Sequence, residues 1–404
     1  MVGANKPKPR LLIIPNTIAT FGGGEHLAFD IANMVKQRFK VTFVNPESKI
    51  DLIRADKKGI LKQYGVREAD VYDVRCVGLN AKAFGVEDYI LMVPTPAGIA
   101  SLARAIKNSD VIYCISNNPF ILAYSAFFAN RYGSKFVFGV QNRIFASFFG
   151  HFEGKERIRD KVGVALYRLA LGQVPCYHVL NSFDEKLVRD NFPRAKPYLV
   201  PGFTIVDDNR PRSNPEFTVM FAGRLTKYEK GIDLLCEIIE KTLKRNREIK
   251  FRIAGAGGDG EPLVKAIAKR HPRNVNWLGF LTYKKVKENW KGSDLALFLS
   301  RGEELRYFPL VFLESQSFGL PMITFNGKGF DSVIIDRLQG VMVEPFDTDA
   351  VVRNILAYHT EFKKSRSAYL GVKMKRAELN RKLYGDKVII PKMVKMFTDG
   401  LDKK

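Results

Sequence analysis

The chain has 404 residues, 46% hydrophobic and 26% charged, with four widely spaced cysteines. That balance suits two domains and excludes a disordered chain or a disulfide scaffold. Lys and Arg total 65 against 42 acids, a formal charge of +23, which implies attraction to something anionic: a nucleotide, a nucleic acid or a charged membrane face.

The run Leu11–Ile14 predicts a buried first strand and is too short for a signal-peptide core. Gly22-Gly23-Gly24 is a loop. Glu25–Arg38 follows as a helix, with Leu27, Ile31, Met34 and Val35 on one stripe. Lys40–Val44 is the next strand. Asp110–Ile115 and Lys135–Val140 are later strands, separated by an apolar helix from Phe120. The run Pro119–Ala129 is the most apolar in the chain; it falls short of the ~20 residues that span a bilayer and reads as a buried helix. Tyr177–Leu180 and Tyr198–Val200 follow. Alternating strands and helices predict a parallel sheet covered on both faces.

The polar, proline-containing stretch Val206–Glu216 reads as a linker. A second alternating series then starts, with strands at Phe217–Phe221, Lys250–Ala254, Val275–Leu278, Leu295–Leu299 and Met322–Phe325, and a helix at Ile232–Leu243. Basic amphipathic helices run from about Asp349. The fold class expected is α/β, with two doubly wound Rossmann-like domains facing across a cleft where strand ends meet a ligand.

The segment Phe221–Lys230 (FAGRLTKYEK) carries the chemistry. An apolar strand ends in Ala222-Gly223, Arg224 follows, and Lys230 stands just before a helix. Two cations beside a helix N-terminus suit a diphosphate, because unpaired N–H groups and the helix dipole add to their charge. Glu314, within FPLVFLESQSFGLP, is a carboxylate among apolar neighbours in a helix opened by Pro309, and it could accept from ribose hydroxyls. Gly255-Ala256-Gly257-Gly258 follows a strand and could let backbone approach a ligand, although the glycines in isolation read more readily as a plain turn. The Gly22–Gly24 loop matches neither a dinucleotide fingerprint nor a Walker loop, so it supports no nicotinamide or ATPase site. The histidines, His26, His151, His178, His271 and His359, are scattered, and no metal site is expected.

These motifs, taken in order, resemble the retaining glycosyltransferases of family 4, which have the GT-B fold. The resemblance rests on Ala222-Gly223-Arg224-Leu225 with Lys230-Gly231, then IAGAG, VNWLGF, SDLALFLS, FPLVFLESQSFGLPMIT and VEPFD (Glu344–Asp347). It is looser in the first half, through GGGEH and the NSFDEKLVRDNF series. It implies an acceptor-side domain over 1–202, a nucleotide-sugar domain over 203–385, and a tail, 386–404, packing back on the first domain. It implies that Arg224 and Lys230 bind the donor's distal phosphate and that Glu314 holds the ribose. Backbone near Trp277–Phe280, Leu278 included, would border the base, and N–H groups of Leu310 and Val311 would face the phosphates. Gly23 and Gly24 would close over the donor, and Gly223, Gly255 and Gly257 would admit it.

This chain departs from the family pattern in three places. The family's first glutamate falls on Arg306, so Glu303 is taken as its equivalent. Arg224 and Lys230 are one residue further apart than is common. Gln141-Asn142 stands where many relatives have a histidine. The activity implied is transfer of a sugar from a nucleotide-diphosphate sugar to an acceptor hydroxyl, with retention and without cofactor or metal. The net charge and the aromatic-basic stretch Arg143–Arg159 suggest a lipid-linked or membrane-surface glycan acceptor, and a cytoplasmic protein peripheral on the inner membrane face, although the same aromatics read as readily as an ordinary core stripe. The rivals are a nucleic-acid-binding or nucleic-acid-glycosylating protein and a catalytically idle sugar-nucleotide-binding subunit. Dispersed basic residues and the lack of a nucleic-acid motif argue against the first. The missing glutamate and histidine permit the second.

Overall fold

The computed structural model describes residues 7–18, 23–48, 57–83, 86–140, 167–202, 210–301, 310–326 and 338–401. It divides into two compact units, Met1–Val200 with Ile390–Lys404, and Pro201–Ile389.

The first unit is built on eight strands: β1 (Arg10–Ile14), β2 (Lys40–Glu47), β3 (Val71–Ala83), β4 (Val86–Pro94), β5 (Val111–Cys114), β6 (Lys135–Gly139), β7 (Cys176–Val179) and β8 (Lys196–Leu199). Their order is β4-β3-β2-β1-β5-β6-β7-β8, and every neighbouring pair is parallel except β3–β4. The hairpin β3–β4 was not expected from sequence. Helices α1 (Gly23–Val35), α2 (Lys57–Tyr64), α3 (Pro96–Lys107), α4 (Pro119–Tyr132) and α5 (Ser182–Asn191) alternate with the strands. The central strands are apolar throughout, as burial on both faces requires: Leu11 to Ile14 and Val111 to Cys114 are fully buried.

The apolar run at Pro119 does form a helix, α4. Asn118 caps it by accepting from the N–H groups of Phe120 and Ile121, Pro119 occupies its first turn, and left-handed Gly133 ends it. Ile121, Leu122, Ala126 and Ala129 are buried, but Phe127 is 56% exposed. The helix is therefore half-buried, not internal as its composition suggested.

His178 on β7 is sealed in this unit. Its Nδ1 accepts from the Tyr113 hydroxyl at 2.7 Å, and its Nε2–H donates to the carbonyl of Val200 at 2.8 Å. A carbonyl can only accept, so the proton sits on Nε2 and the ring is neutral. Burial pushes its pKa down to about 4. A depressed histidine pKa stabilises the fold fully above the unfolded value of about 6.5 and loses that stability as pH falls toward 4. We expect His178 to cost about 2–3 kcal/mol by pH 4.5. Denaturant unfolding of the wild-type chain and His178→Gln between pH 7 and 4.5 checks this. The wild type should lose stability more steeply; parallel pH profiles would refute it.

The second unit holds six parallel strands: β9 (Thr218–Ala222), β10 (Lys250–Ala254), β11 (Val275–Gly279), β12 (Leu295–Phe298), β13 (Met322–Phe325) and β14 (Gly340–Val343), ordered β11-β10-β9-β12-β13-β14. Its helices are the short α6 (Lys227–Lys230), α7 (Ile232–Arg245), α8 (Glu261–Arg270), α9 (Tyr283–Lys291), α10 (Leu310–Ser317), α11 (Thr348–Lys364) and α12 (Arg366–Tyr384). The predicted stripe of α7, Ile232, Leu235, Ile238 and Ile239, is buried.

A buried polar staple ties α12 to this sheet. Lys373 and Asp294, whose side chains are each 1% exposed, pair at 3.1 Å. The Lys373 ammonium also donates to the carbonyls of Ser293 and Arg212. Asp294 accepts from the side chain of Asn214 and the N–H of Thr218, and the Tyr369 hydroxyl donates to its carbonyl. Burial draws the Lys373 pKa down, and Asp294 opposes the shift. Arg376 reaches the carbonyls of Leu338 and Gly319 from the next turn of the helix.

The last helix, α13 (Asp386–Thr398), leads into residues grouped with the first unit. There Phe397 packs edge-on against Phe39 and Tyr113. The Asp399 carboxylate accepts from the Tyr198 hydroxyl at 2.6 Å and pairs with Lys196, while Lys135 donates to its carbonyl. Those donors hold the Asp399 carboxyl down to about 2. The tail is thus bonded to β6 and β8.

Candidate functional site

In the second sheet, β9 is followed by β10 on one side and, later in the chain, by β12 on the other. The crevice beyond the carboxyl ends of such a pair is where open parallel sheets bind ligands. The chain leaves β9 through Gly223-Arg224 and leaves β12 through Leu299-Ser300-Arg301.

The turn α6 brings Lys230 to this edge. Its Cδ lies 4.0 Å from where a Cβ on Gly223 would stand, and its ammonium is 5.7 Å from the ring centroid of Phe298. Gly231 closes the turn with φ 64°, and a Cβ there would meet the Leu299 carbonyl oxygen at 2.3 Å. Only glycine lets the turn sit directly on the end of β12. Arg224 is 69% exposed and pairs with Glu229 at 2.9 Å. The hydroxyls of Thr226 and Ser300 are buried at this edge and, among the described residues, have no hydrogen-bond partner.

The glycine loop after β10 is drawn against the loop after β9. Gly223 N–H donates to the Ala254 carbonyl, Leu225 N–H to that of Gly257, and Gly260 N–H to that of Leu225. A Cβ on Gly255 would stand 1.9 Å from the Gly223 carbonyl oxygen. The Gly255 N–H donates to Gly279 and the Gly257 N–H to the Glu261 carboxylate at 2.6 Å. In the fold itself, then, these glycines serve loop-on-loop packing. Leu278, near the end of β11, is half-buried, and its neighbour Trp277 donates its indole N–H to the Gly255 carbonyl at 2.9 Å.

Leu310 and Val311 are the first two residues of α10, and their N–H groups lack partners within the helix. Glu314 is half-buried one turn later, on the same face as Leu310. Gly23 and Gly24 open α1 in the first unit. Glu303, taken as the family's first glutamate, lies outside the described residues. So do Arg306, Pro309, Gln141-Asn142, Asp207-Asp208 and the stretch 143–159. Among the described residues no group of three His, Cys, Asp or Glu side chains could hold a metal ion. No described helix is long and apolar enough to cross a membrane.

Sequence reasoning missed Arg301 and Asp233. The Arg301 guanidinium grips the Asp233 carboxylate in two bonds, at 2.9 and 2.6 Å, and reaches the Lys227 carbonyl at 2.8 Å. No motif flags either residue. The available signal was an arginine three residues past the end of a buried strand.

Residues 205–368 match the family of Glycosyl transferases group 1. The group 1 region includes Arg224, Lys230, Arg301 and Glu314. The chain is 31% identical over 140 residues to the alpha-D-kanosaminyltransferase of Streptomyces kanamyceticus, a match covering 33% of this chain and 35% of that relative. The match therefore spans about a third of that relative's length. An uncharacterized glycosyltransferase of Haemophilus influenzae is 21% identical over 343 residues, 84% of this chain and 87% of the relative. Among solved structures, Anabaena HepE in complex with UDP and glucose superposes with a TM-score of 0.70 at 14% identity, over 97% of this chain and 100% of that one. That likeness is one of fold, and the fold is GT-B.

Proposed function

We propose that the chain transfers a sugar from a nucleotide-diphosphate sugar to an acceptor hydroxyl, with retention at the anomeric carbon. The observation that carries this is the position of Lys230 at the β9–β12 switch point, inside the group 1 region. The barrier is departure of a nucleoside diphosphate. Negative charge grows on the bridging oxygen, so fixed cations and helix N–H groups lower it. Lys230 and Arg224 supply the cations and the start of α10 supplies N–H groups, so no metal is called for. Glu314 holds the ribose, Glu303 serves the sugar, and Leu278 borders the base. The glycines Gly23, Gly24, Gly223 and Gly257 keep side chains out of the donor's way, and Gly255 lets the loop after β10 pack on the Gly223 carbonyl.

The charge of +23 supports an acceptor at an anionic surface, a lipid-linked or membrane-surface glycan on the cytoplasmic side of the cell membrane. HepE was solved with UDP, which supports a nucleotide donor here as well. The test is a thermal-shift screen with UDP-, GDP- and ADP-sugars, followed by transfer assays with the ligand that stabilises. A ligand at about 100 times its Kd stabilises by about 2.7 kcal/mol, several degrees for a domain of this size. One nucleotide class should raise the melting temperature and then yield a product of unchanged anomeric configuration by NMR. No shift with any nucleotide sugar, or an inverted product, would contradict the proposal.

A further inference from the structure

We propose that Arg301 is a positioning residue for the donor-phosphate site, an inference that rests on the reading of Lys230 given above. Arg301 touches two segments distant from it in sequence, the stretch from Lys227 to Asp233 and Phe346. Its side chain bonds the Lys227 carbonyl, the first residue of α6, and both oxygens of Asp233, in the first turn of α7. Its own N–H donates to the Glu229 carbonyl at 3.3 Å. Its guanidinium lies 5.7 Å from the ring centroid of Phe346, a residue held at φ 68° in the VEPFD segment.

The turn Lys227–Gly231 is thereby held along its length: at its first carbonyl, at Glu229, and by Asp233 just beyond its end. That turn carries Lys230 and also Glu229, the partner of Arg224. Alone, a four-residue helical turn has little stability of its own. Arg301 supplies the constraint, and its side chain is only 17% exposed, so water competes weakly for its bonds. A planar fork with five donors can serve Asp233 and the Lys227 carbonyl together, whereas a lysine ammonium at the same place has one point of charge to aim. Asp233 also gains a counter-ion where an unpaired carboxylate would repel an anionic donor.

The Arg301 guanidinium is committed to Asp233 and the Lys227 carbonyl, so its effect should pass through the Lys230 turn. Misplacing a catalytic group by about 1 Å costs roughly 100-fold in rate. With the nucleotide sugar selected by the thermal-shift screen, Arg301→Gln should lower kcat about 30-fold. KM for the donor should rise severalfold, because a displaced Lys230 also holds the bound diphosphate less well, and circular dichroism should be unchanged. Arg301→Lys should recover only part of the loss. The double variant Arg301→Gln/Lys230→Ala should be no slower than Lys230→Ala alone, because the second change removes what the first misplaces. Losses that multiply in the double variant would show that Arg301 acts independently of the turn and overturn the proposal. So would full activity of Arg301→Gln, or full rescue by lysine. If the wild type binds UDP, GDP or ADP but transfers nothing, calorimetry replaces kcat. Equal diphosphate affinity of wild type and Arg301→Gln then overturns this inference while donor binding stands. A wild-type chain that binds none of the three overturns both.

Discussion

Lys230→Ala should slow sugar transfer by about 30- to 1000-fold while leaving the chain folded. The range follows from one charge-assisted donor facing the leaving diphosphate, worth on the order of 2–4 kcal/mol where water is excluded. The fold should tolerate the change because Lys230 is half-buried in a turn whose backbone bonds, from Lys230 and Gly231 back to Thr226 and Lys227, do not involve its side chain. Arg224→Ala should fall in the same range. Arg224 is mostly exposed, so its cost to stability should be small, and its removal takes one counter-ion from Glu229 beside Lys230. The check is steady-state transfer with saturating donor, with far-UV circular dichroism as the control. Turnover within about threefold of wild type would mean that Lys230 does not face the developing charge.

Lys373→Ala should be the most damaging single change to stability. It leaves the Asp294 carboxylate in a site where each partner's side chain is 1% exposed, and it orphans the carbonyls of Ser293 and Arg212. Breaking a buried pair from one side costs about 3–5 kcal/mol. For a domain of this size that lowers the melting temperature by roughly 6–20 °C. Removing both charges should cost less than removing one, so Asp294→Asn/Lys373→Met should regain part of the loss. Calorimetric scans of Asp294→Asn, Lys373→Met and the double variant decide this. A double variant as unstable as the sum of its parts would show that the bonds to the carbonyls, not the charge pair, set the cost.

The strand–turn–helix at β9–α7 was legible because two periodicities meet there. An apolar run of five stops at Ala-Gly, and a helical stripe with Ile232, Leu235, Ile238 and Ile239 begins nine residues later. Each pattern reports one side's burial, and both sides are buried. The hairpin β3–β4 was not legible on that basis. Its strand Val71–Ala83 mixes Asp73, Arg75 and Asn80 with apolar residues, and a strand with a polar face carries no continuous apolar run. The four-residue β14 opens on Gly340 and is only partly buried, whereas the equally short β13 is buried throughout and was legible. Composition misled at α4, where an almost wholly apolar sequence buries one face and leaves Phe127 in solvent.

The candidate site shows the same division. Arg224, Lys230 and Glu314 could be picked out because a charge stands beside a strand end or inside an apolar helix. The glycines of the 255–258 loop could be picked out too, but their partner could not. Whether a missing Cβ makes room for a ligand or for the Gly223 carbonyl depends on a loop over thirty residues away in sequence. Arg301 was invisible for the same reason. Its meaning lies in Asp233, 68 positions earlier, and no local pattern couples them.

The central claim is that the turn carrying Lys230 receives a nucleotide's diphosphate. Isothermal titration of UDP, GDP and ADP against their monophosphates tests it most directly, on the wild-type chain and on Lys230→Ala. One diphosphate should bind about tenfold or more tightly than its monophosphate, a difference of about 1.4 kcal/mol, and Lys230→Ala should abolish that preference. Equal affinity for the two phosphorylation states, or a preference that survives loss of the ammonium, would contradict the account.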